Sequence, residues 1–133
     1  MDSLIIDLPE PYKDDRGSIQ MLVEFPVASA LVISSKAGAV RANHYHKKDE
    51  HYAYVASGRV EYHYRPAEST APAEVITIEQ GQMFHTPSRF VHAMKFLADS
   101  VIYVFSTQRR DQESYEADVV RVQLLDPADY LFR

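Results

Sequence analysis

Apolar and polar residues alternate with a period of two along much of this chain of 133 residues. Val60, Tyr62 and Tyr64 are separated by charged or polar residues, and residues 90–96 alternate in the same way. Because successive side chains of a β-strand point to opposite faces, each segment predicts a strand with one buried face. Residues 101–105 are apolar throughout, which predicts a central strand covered on both faces.

Further segments share this strand-like pattern. The other predicted strands are 19–25, 30–34, 40–46, 51–56, 74–78, 83–86 and 119–125. A short C-terminal helix is predicted at 111–118, because Asp111 suits an N-cap and Glu113 suits the positive end of a helix. Ten short strands without a repeat or linker predict an all-β single domain over residues 1–133, closed into a barrel or built from two sheets.

Composition excludes several functions. The chain has no cysteine, so a disulfide framework, a thiolate metal site and a cysteine nucleophile are all excluded. Its net charge of −5 argues against nucleic acid as a partner. The N-terminus lacks a basic segment, and Asp7 interrupts the apolar run 4–6, so neither a signal peptide nor a membrane span is predicted. We expect a cytoplasmic protein with no membrane partner.

The six histidines and four glycines fall in a regular arrangement. His44 and His46 are two residues apart in a predicted strand, so both side chains point to the same face. One such pair often arises by chance, but here the neighbouring residues are also regularly spaced. The first group is Gly38, His44, His46, His51 and Gly58, and the second is Gly81, Pro87 and His92.

These two segments resemble the two motifs of the cupin superfamily, G-x5-H-x-H-x3-4-E-x6-G and G-x5-P-x-G-x2-H-x3-N. Three of the four glycines in the chain occupy motif glycines. The resemblance implies a cupin jelly roll, a double-stranded β-helix barrel, as one domain over residues 1–133. The chain departs from the motifs in that Arg89 replaces a glycine and Phe96 replaces the asparagine.

The position of the first-motif glutamate is ambiguous. His51 occupies it with the four-residue spacing, whereas Glu50 occupies it with the three-residue spacing. Counting back from Gly58 favours His51 as the inward residue, because a slip of one residue reverses every side chain on the following strand. The predicted ligands of a divalent transition metal (Zn, Ni, Fe, Mn or Cu) are His44, His46, His51 and His92, with Glu50 as the substitute for His51. A metal-free acid–base cluster is the alternative.

The sequence around the remaining histidines and several tyrosines indicates their roles less specifically. His85 alternates with Met83 and is a candidate for lining the cavity and binding substrate, whereas His63 is predicted to be solvated. Tyr45, Tyr52 and Tyr54 should face away from the histidines, which favours sheet packing or a subunit interface, and we expect a homodimer.

Three further segments, 15–20, 41–48 and 105–118, look like those of the sugar-nucleotide cupins: the dTDP-sugar 3,4-ketoisomerases and, more distantly, the dTDP-4-dehydrorhamnose 3,5-epimerases. This resemblance implies proton transfer beside the ketone of a sugar or nucleotide-linked keto-sugar. His44 and His46 would be the acid–base residues, with Ala42 in place of a glycine. Arg16 and Arg41 would be candidates for holding the diphosphate, since guanidinium groups match phosphate oxygens.

One difference leaves other functions open. Those ketoisomerases work without a metal and usually lack histidines at the positions of His51 and His92. A chain that has both could be a metal-dependent isomerase or epimerase, a metal-dependent dioxygenase, or a cupin that binds a small molecule without turnover.

Overall fold

The computed structural model of this chain describes residues 4–126. The elements are β1 (Ile5–Ile6), β2 (Tyr12–Asp14), β3 (Gly17–Ile19), β4 (Ser29–Ser35), β5 (Val40–His46), β6 (His51–Ser57), β7 (Arg59–Pro66), β8 (Glu74–Glu79), β9 (Met83–Thr86), β10 (Phe90–Phe96), β11 (Ser100–Ser106), α1 (Gln112–Asp118) and β12 (Val119–Arg121). Among these residues, no helix is long and apolar enough to cross a membrane.

Two five-stranded antiparallel sheets form the fold. The strand order is β1-β9-β6-β11-β4 in one sheet and β12-β5-β10-β7-β8 in the other. Neighbouring strands are mostly distant in sequence, as in a jelly roll, and the predicted all-β fold with one short helix is confirmed. The period-two pattern correctly predicts core residues, because Val60, Tyr62 and Tyr64 are buried, with exposed fractions of 0%, 0% and 3%.

The predicted strand at 19–25 is wrong over most of its length. β3 ends at Ile19 and pairs only with β2, in a separate hairpin. A strand needs a partner for its backbone hydrogen bonds, and no strand of the described chain pairs with residues 20–25. The Gln20 side chain instead donates to the carbonyl oxygens of Pro9 and Met21.

The last predicted strand, 119–125, ends at Arg121 in the structure. The amides of Leu124 and Leu125 donate to Oδ1 of Asn43, at 2.9 and 3.0 Å, instead of to a neighbouring strand.

The predicted helix is confirmed as α1, with Asp111 as the N-cap, because its carboxylate accepts from the amide of Ser114.

A bulge in β5 decides which residues of that strand face the barrel interior. Ala42 and Asn43 both have a positive φ, of 72° and 58°, and the register with β10 shifts between His92 and Ala93. As a result, His44 lies opposite His92, and Arg41 lies opposite Met94. In an unbroken strand, Arg41 and His44 would point to opposite faces, but the bulge brings them to the same one.

Candidate functional site

Four histidines come together between the two sheets. His44 and His46 lie on β5, His92 lies opposite His44 on β10, and His51 begins β6 in the facing sheet. The ring centroid of His46 is 4.8 Å from that of His44, 4.5 Å from that of His51 and 5.9 Å from that of His92. His46 therefore lies at the centre of the cluster.

A cavity of about 170 Å³ opens beside this cluster. His44, His51 and His92 line it, whereas His46 does not. The remaining lining residues are Leu31, Ile33, Arg41, Ala42, Ala53, Phe84, Thr86, Met94, Ile102, Val104, Arg110 and Tyr115. The cavity lining is thus largely apolar. Its polar groups include three imidazoles and two arginines, and it contains no carboxylate.

His46 is held in one orientation by Asp118. Its side chain is 2% exposed, and its Nδ1 lies 3.1 Å from Oδ2 of Asp118, at the end of α1. Because a carboxylate can only accept, Nδ1 carries the proton and Nε2 has the free lone pair. Nε2 is buried and has no hydrogen-bond partner in the described chain. A buried polar atom without a partner is uncommon, and it marks this nitrogen as a site for a ligand or a proton.

Two other histidines are also oriented through one ring nitrogen. Nδ1 of His92 donates to the carbonyl oxygen of Phe90 at 3.0 Å, which leaves Nε2 as the acceptor. Nε2 of His51 donates to Oδ2 of Asp49 at 2.8 Å, which leaves Nδ1 as the acceptor. Asp49 is 6% exposed, and its other oxygen accepts from the amide and hydroxyl of Thr107.

Burial keeps the inner imidazoles neutral. It is the main cause that lowers the pKa of His44 to about 2, with smaller contributions from the neighbouring histidines and from Arg110. Burial likewise lowers the pKa of His92 to about 3 and that of His46 to about 4. The nearby carboxylates of Asp49 and Asp118 partly oppose the effect at His46, so its pKa is the highest of the three.

The site can be tested for its fit to a metal ion. One ring nitrogen from each of His44, His46 and His92 lies within 4.8 Å of the others. His46, Asp49 and His51 form a second such group, which shares His46. In metal sites, a histidine usually donates its other ring nitrogen to a carboxylate or a backbone carbonyl, as His46 and His92 do here. The unpartnered Nε2 of His46 and this donor set therefore fit a transition metal.

Glu50 and His85 lie outside the cavity. His51 pairs with Thr86 and both line the cavity, so the next pair along the ladder, Tyr52 with His85, points to the outer face. There His85 stacks on Tyr52, with 4.5 Å between ring centroids, and its Nε2 lies 2.7 Å from Oε1 of Glu50. The structure thus places His51 rather than Glu50 at the cavity, and the prediction that His85 lines the cavity is wrong.

The two predicted arginines differ in position. Arg16 lies in the β2–β3 hairpin, is paired with Asp14 at 2.6 Å and has a side chain that is 85% exposed. It does not line the cavity. Arg41 does line it, and its Nε and Nη2 donate to Ser35 Oγ and to the carbonyl oxygen of Ser34, at 2.8 and 3.1 Å.

Sequence reasoning missed two residues of the cavity and misjudged one histidine. Arg110 lies over the ring of Tyr115, with 4.4 Å between Cζ and the ring centroid, and both line the cavity. They follow β11 in segment 105–118, which resembles the sugar-nucleotide cupins without singling out either residue, so only the fold could bring them to the histidines. His63, predicted to be solvated, is only 14% exposed and is bonded to Glu61, because β7 lies between β10 and β8.

The cupin family model matches residues 20–127, which is most of the chain, and the chain belongs to this family. No curated protein sequence matches it.

Solved structures share the fold at low sequence identity. A 3,4-ketoisomerase from Helicobacter canadensis is 18% identical, with a TM-score of 0.74 over 98% of this chain and 96% of its own. A dTDP-4-dehydrorhamnose 3,5-epimerase from Sulfolobus tokodaii is 19% identical, with a TM-score of 0.72 over 90% and 77%. A sugar 3,4-ketoisomerase from Thermoanaerobacterium thermosaccharolyticum, in complex with TDP, is 16% identical, with a TM-score of 0.71 over 88% and 85%.

Proposed function

We propose that this chain is an isomerase or epimerase of a sugar, most simply a nucleotide-linked keto-sugar. The observation that carries the proposal is a cluster of neutral, oriented imidazoles beside a cavity whose lining contains two arginines and no carboxylate. Neutral imidazole can accept a proton from carbon, and the arginines suit an anionic substrate. The similarity in fold to sugar-nucleotide isomerases and epimerases supports this reading.

The proton transfer is assigned to His44 and His46. A carbon next to a ketone loses its proton to an imidazole nitrogen, the carbonyl oxygen gains a proton, and an enediol forms. The same proton, or one from solvent, then adds to a carbon of the enediol while one enediol hydroxyl loses its proton and becomes a carbonyl, so protons balance over the cycle. His44 lines the cavity and would contact the sugar, while His46 contacts His44 and is oriented by Asp118.

The apolar lining of the cavity would also shield the reacting carbon from water. Its lining is mostly aliphatic and aromatic, and its volume of about 170 Å³ suits a sugar ring but not a whole nucleotide. The nucleotide would therefore extend from the mouth, and Arg41 would contact the diphosphate that joins it to the sugar.

Hydrogen exchange with solvent tests the proposal. We expect the protein, incubated in heavy water with dTDP-4-keto-6-deoxyglucose, to incorporate deuterium beside the carbonyl and to form an isomer. His44→Asn should slow exchange about a hundredfold or more, as loss of a general acid–base group does. The proposal is wrong if a panel of nucleotide-linked keto-sugars shows neither exchange nor isomerisation.

A bound transition metal is a second proposal, favoured by the buried, unpartnered Nε2 of His46. His44, His46 and His92 would hold the ion, with His51 next to them. When bound, it would supply Lewis-acid polarisation of a substrate carbonyl. This proposal is an alternative to acid–base catalysis by His44 and His46, because a nitrogen that binds the metal cannot also accept the substrate proton. Elemental analysis of the folded protein tests this directly, and a metal content far below one atom per chain would overturn it.

A further inference from the structure

We infer that Arg110, acting with Arg41, forms an anion clamp at the cavity and determines which substrates bind there. The clamp would take phosphoryl oxygens, such as those of a diphosphate attached to a sugar. The inference rests on the function proposed above, and it adds Arg110, which the sequence patterns did not single out as a site residue.

Position is the first argument. Arg110 and Arg41 come from distant parts of the chain, yet both line the cavity next to His44. Arg41 is fixed by its bonds to Ser35 and Ser34, and Arg110 is held over the ring of Tyr115. Each guanidinium is thus anchored through protein contacts, so little side-chain freedom would be lost when an anion binds.

Charge is the second argument. Four arginines of the described chain are paired with carboxylates, among them Arg109 with Asp111 and Arg16 with Asp14. Arg65 and Arg89 form no ion pair within residues 4–126, but they do not line the cavity. Within residues 4–126, neither Arg41 nor Arg110 forms an ion pair with a carboxylate. Among the described residues, the two charges that line the cavity therefore have no carboxylate partner, although the whole chain carries a net charge of −5.

Both arginines are accessible to a ligand. Arg41 and Arg110 line the cavity and are also exposed, so an anion at the mouth of the cavity can reach them. Guanidinium groups donate paired hydrogen bonds whose geometry matches phosphate oxygens. A sugar without the anion would form neither of these charged contacts, so the cavity should bind ligands that carry the anion more tightly.

The neighbouring arginine provides a matched control for the test. Arg110→Gln and Arg109→Gln remove the same charge one residue apart, but Arg109 is paired with Asp111 and its side chain is 81% exposed. Calorimetry with TDP, inorganic pyrophosphate and thymidine would measure the dissociation constants, and thermal unfolding would show that both variants are folded. We expect Arg110→Gln to weaken binding of TDP and pyrophosphate about ten- to hundredfold, and Arg109→Gln to change it less than about twofold. Thymidine should bind all three proteins alike.

A second pair of variants tests how Arg110 is held. Tyr115→Phe keeps the aromatic ring under the guanidinium and should bind TDP like the wild type, whereas Tyr115→Leu removes the ring and should weaken binding. If TDP binds the wild type and Arg110→Gln equally, the clamp is overturned while the proposed function stands. If pyrophosphate binds through Arg110 but TDP does not bind, the clamp stands and the nucleotide-linked substrate is wrong. Binding of neither anion overturns the clamp.

Discussion

Asp118, the last residue of α1, accepts a hydrogen bond from Nδ1 of His46, the last residue of β5, at 3.1 Å. The same carboxylate accepts from the backbone amides of Lys48 and Asp49, at 2.8 and 3.3 Å. One side chain therefore sets the tautomer of the central histidine and joins the β5–β6 turn to the helix. The orientation of the site depends on a contact between segments 72 residues apart.

Asp118→Asn should reduce kcat strongly with little change in KM. The amide keeps an oxygen acceptor for the turn but can present its NH2 group to Nδ1 of His46, which would favour the tautomer with the proton on Nε2. We expect a fall in kcat of about a hundredfold or more, measured by exchange of substrate protons with heavy water. The control is Glu116→Gln, which lies on the same helix as Asp118 and removes only a surface ion pair with Arg121 of β12. Equal kcat values for the two variants would contradict the role of Asp118.

Removal of the cluster histidines should reduce zinc binding, whereas changes to the outer pair should not. His92→Ala removes a ligand nitrogen, and we expect zinc content after loading and dialysis to fall from about one atom per chain to a small fraction of that. His51→Ala should lose more zinc than Glu50→Ala, because His51 borders His46 and the Glu50 carboxylate faces His85. His85→Ala is the matched control on the outer face. Glu50→Ala and His85→Ala should both retain their zinc. A loss of zinc from Glu50→Ala as large as that from His92→Ala, with His85→Ala retaining its metal, would refute this placement of the ligands.

The side-chain alternation could be predicted from sequence because it depends on local geometry. A period of two places Tyr62 and Tyr64 in the core, and the spacing from Gly58 places His51 on the inner face. The predicted strands that are wrong, at 19–25 and after Arg121, are segments that pair with no strand among residues 4–126. A sequence pattern shows that a segment is able to form a strand, but pairing depends on where the rest of the chain lies.

The contacts that complete the site could not be predicted from sequence, because they join distant segments. The bulge at Asn43 reverses the face of Arg41, and it lacks the glycine that usually indicates such a backbone. Asp118 and Arg110 reach the cluster from the segment after β11. Asp49 lies only two residues from His51, to which it is hydrogen-bonded. Its carboxylate is held by the amide and hydroxyl of Thr107, which follows β11, the strand paired with β6.

Gly58 should be one of the least replaceable residues of the fold. Its φ is 95°, and a Cβ atom added there would lie 2.1 Å from Ser100 Oγ and 2.6 Å from the Ser100 backbone. Gly58→Ala should therefore lower the free energy of unfolding by about 3 kcal/mol or more, through strain and overpacking, as chemical denaturation would show. Gly81 has a similar φ of 87° with open space around it, so Gly81→Ala should cost only about 1 kcal/mol. Similar losses in the two variants would contradict the close approach of Ser100.

The metal-free protein should become less stable as the pH falls from about 6.5 to about 4. In the unfolded chain a histidine has a pKa of about 6.5, whereas burial lowers those of His44, His46 and His92 to about 2, 4 and 3. In this window the unfolded state binds more protons, so protonation favours unfolding. Each histidine should contribute about 1.4 kcal/mol per pH unit below pH 6, measured by denaturation after chelator treatment. His92→Gln should reduce the slope by one histidine's contribution, and an unchanged slope would contradict burial of a neutral His92.

Asn43 should stabilise the bulge through both its backbone and its side chain. Asparagine tolerates its φ of 58° better than most residues, and the side chain accepts from Leu124 and Leu125 and donates to the Leu125 carbonyl at 2.9 Å. Asn43→Gly keeps the backbone but loses these three hydrogen bonds, at a cost of about 1–3 kcal/mol. Asn43→Val adds the strain of a β-branched residue in the left-handed region, which should lower the free energy of unfolding by a further amount of about 1–2 kcal/mol. Denaturation should therefore rank wild type above Asn43→Gly and Asn43→Gly above Asn43→Val, and equal stability of the two variants would show that the backbone there is not left-handed.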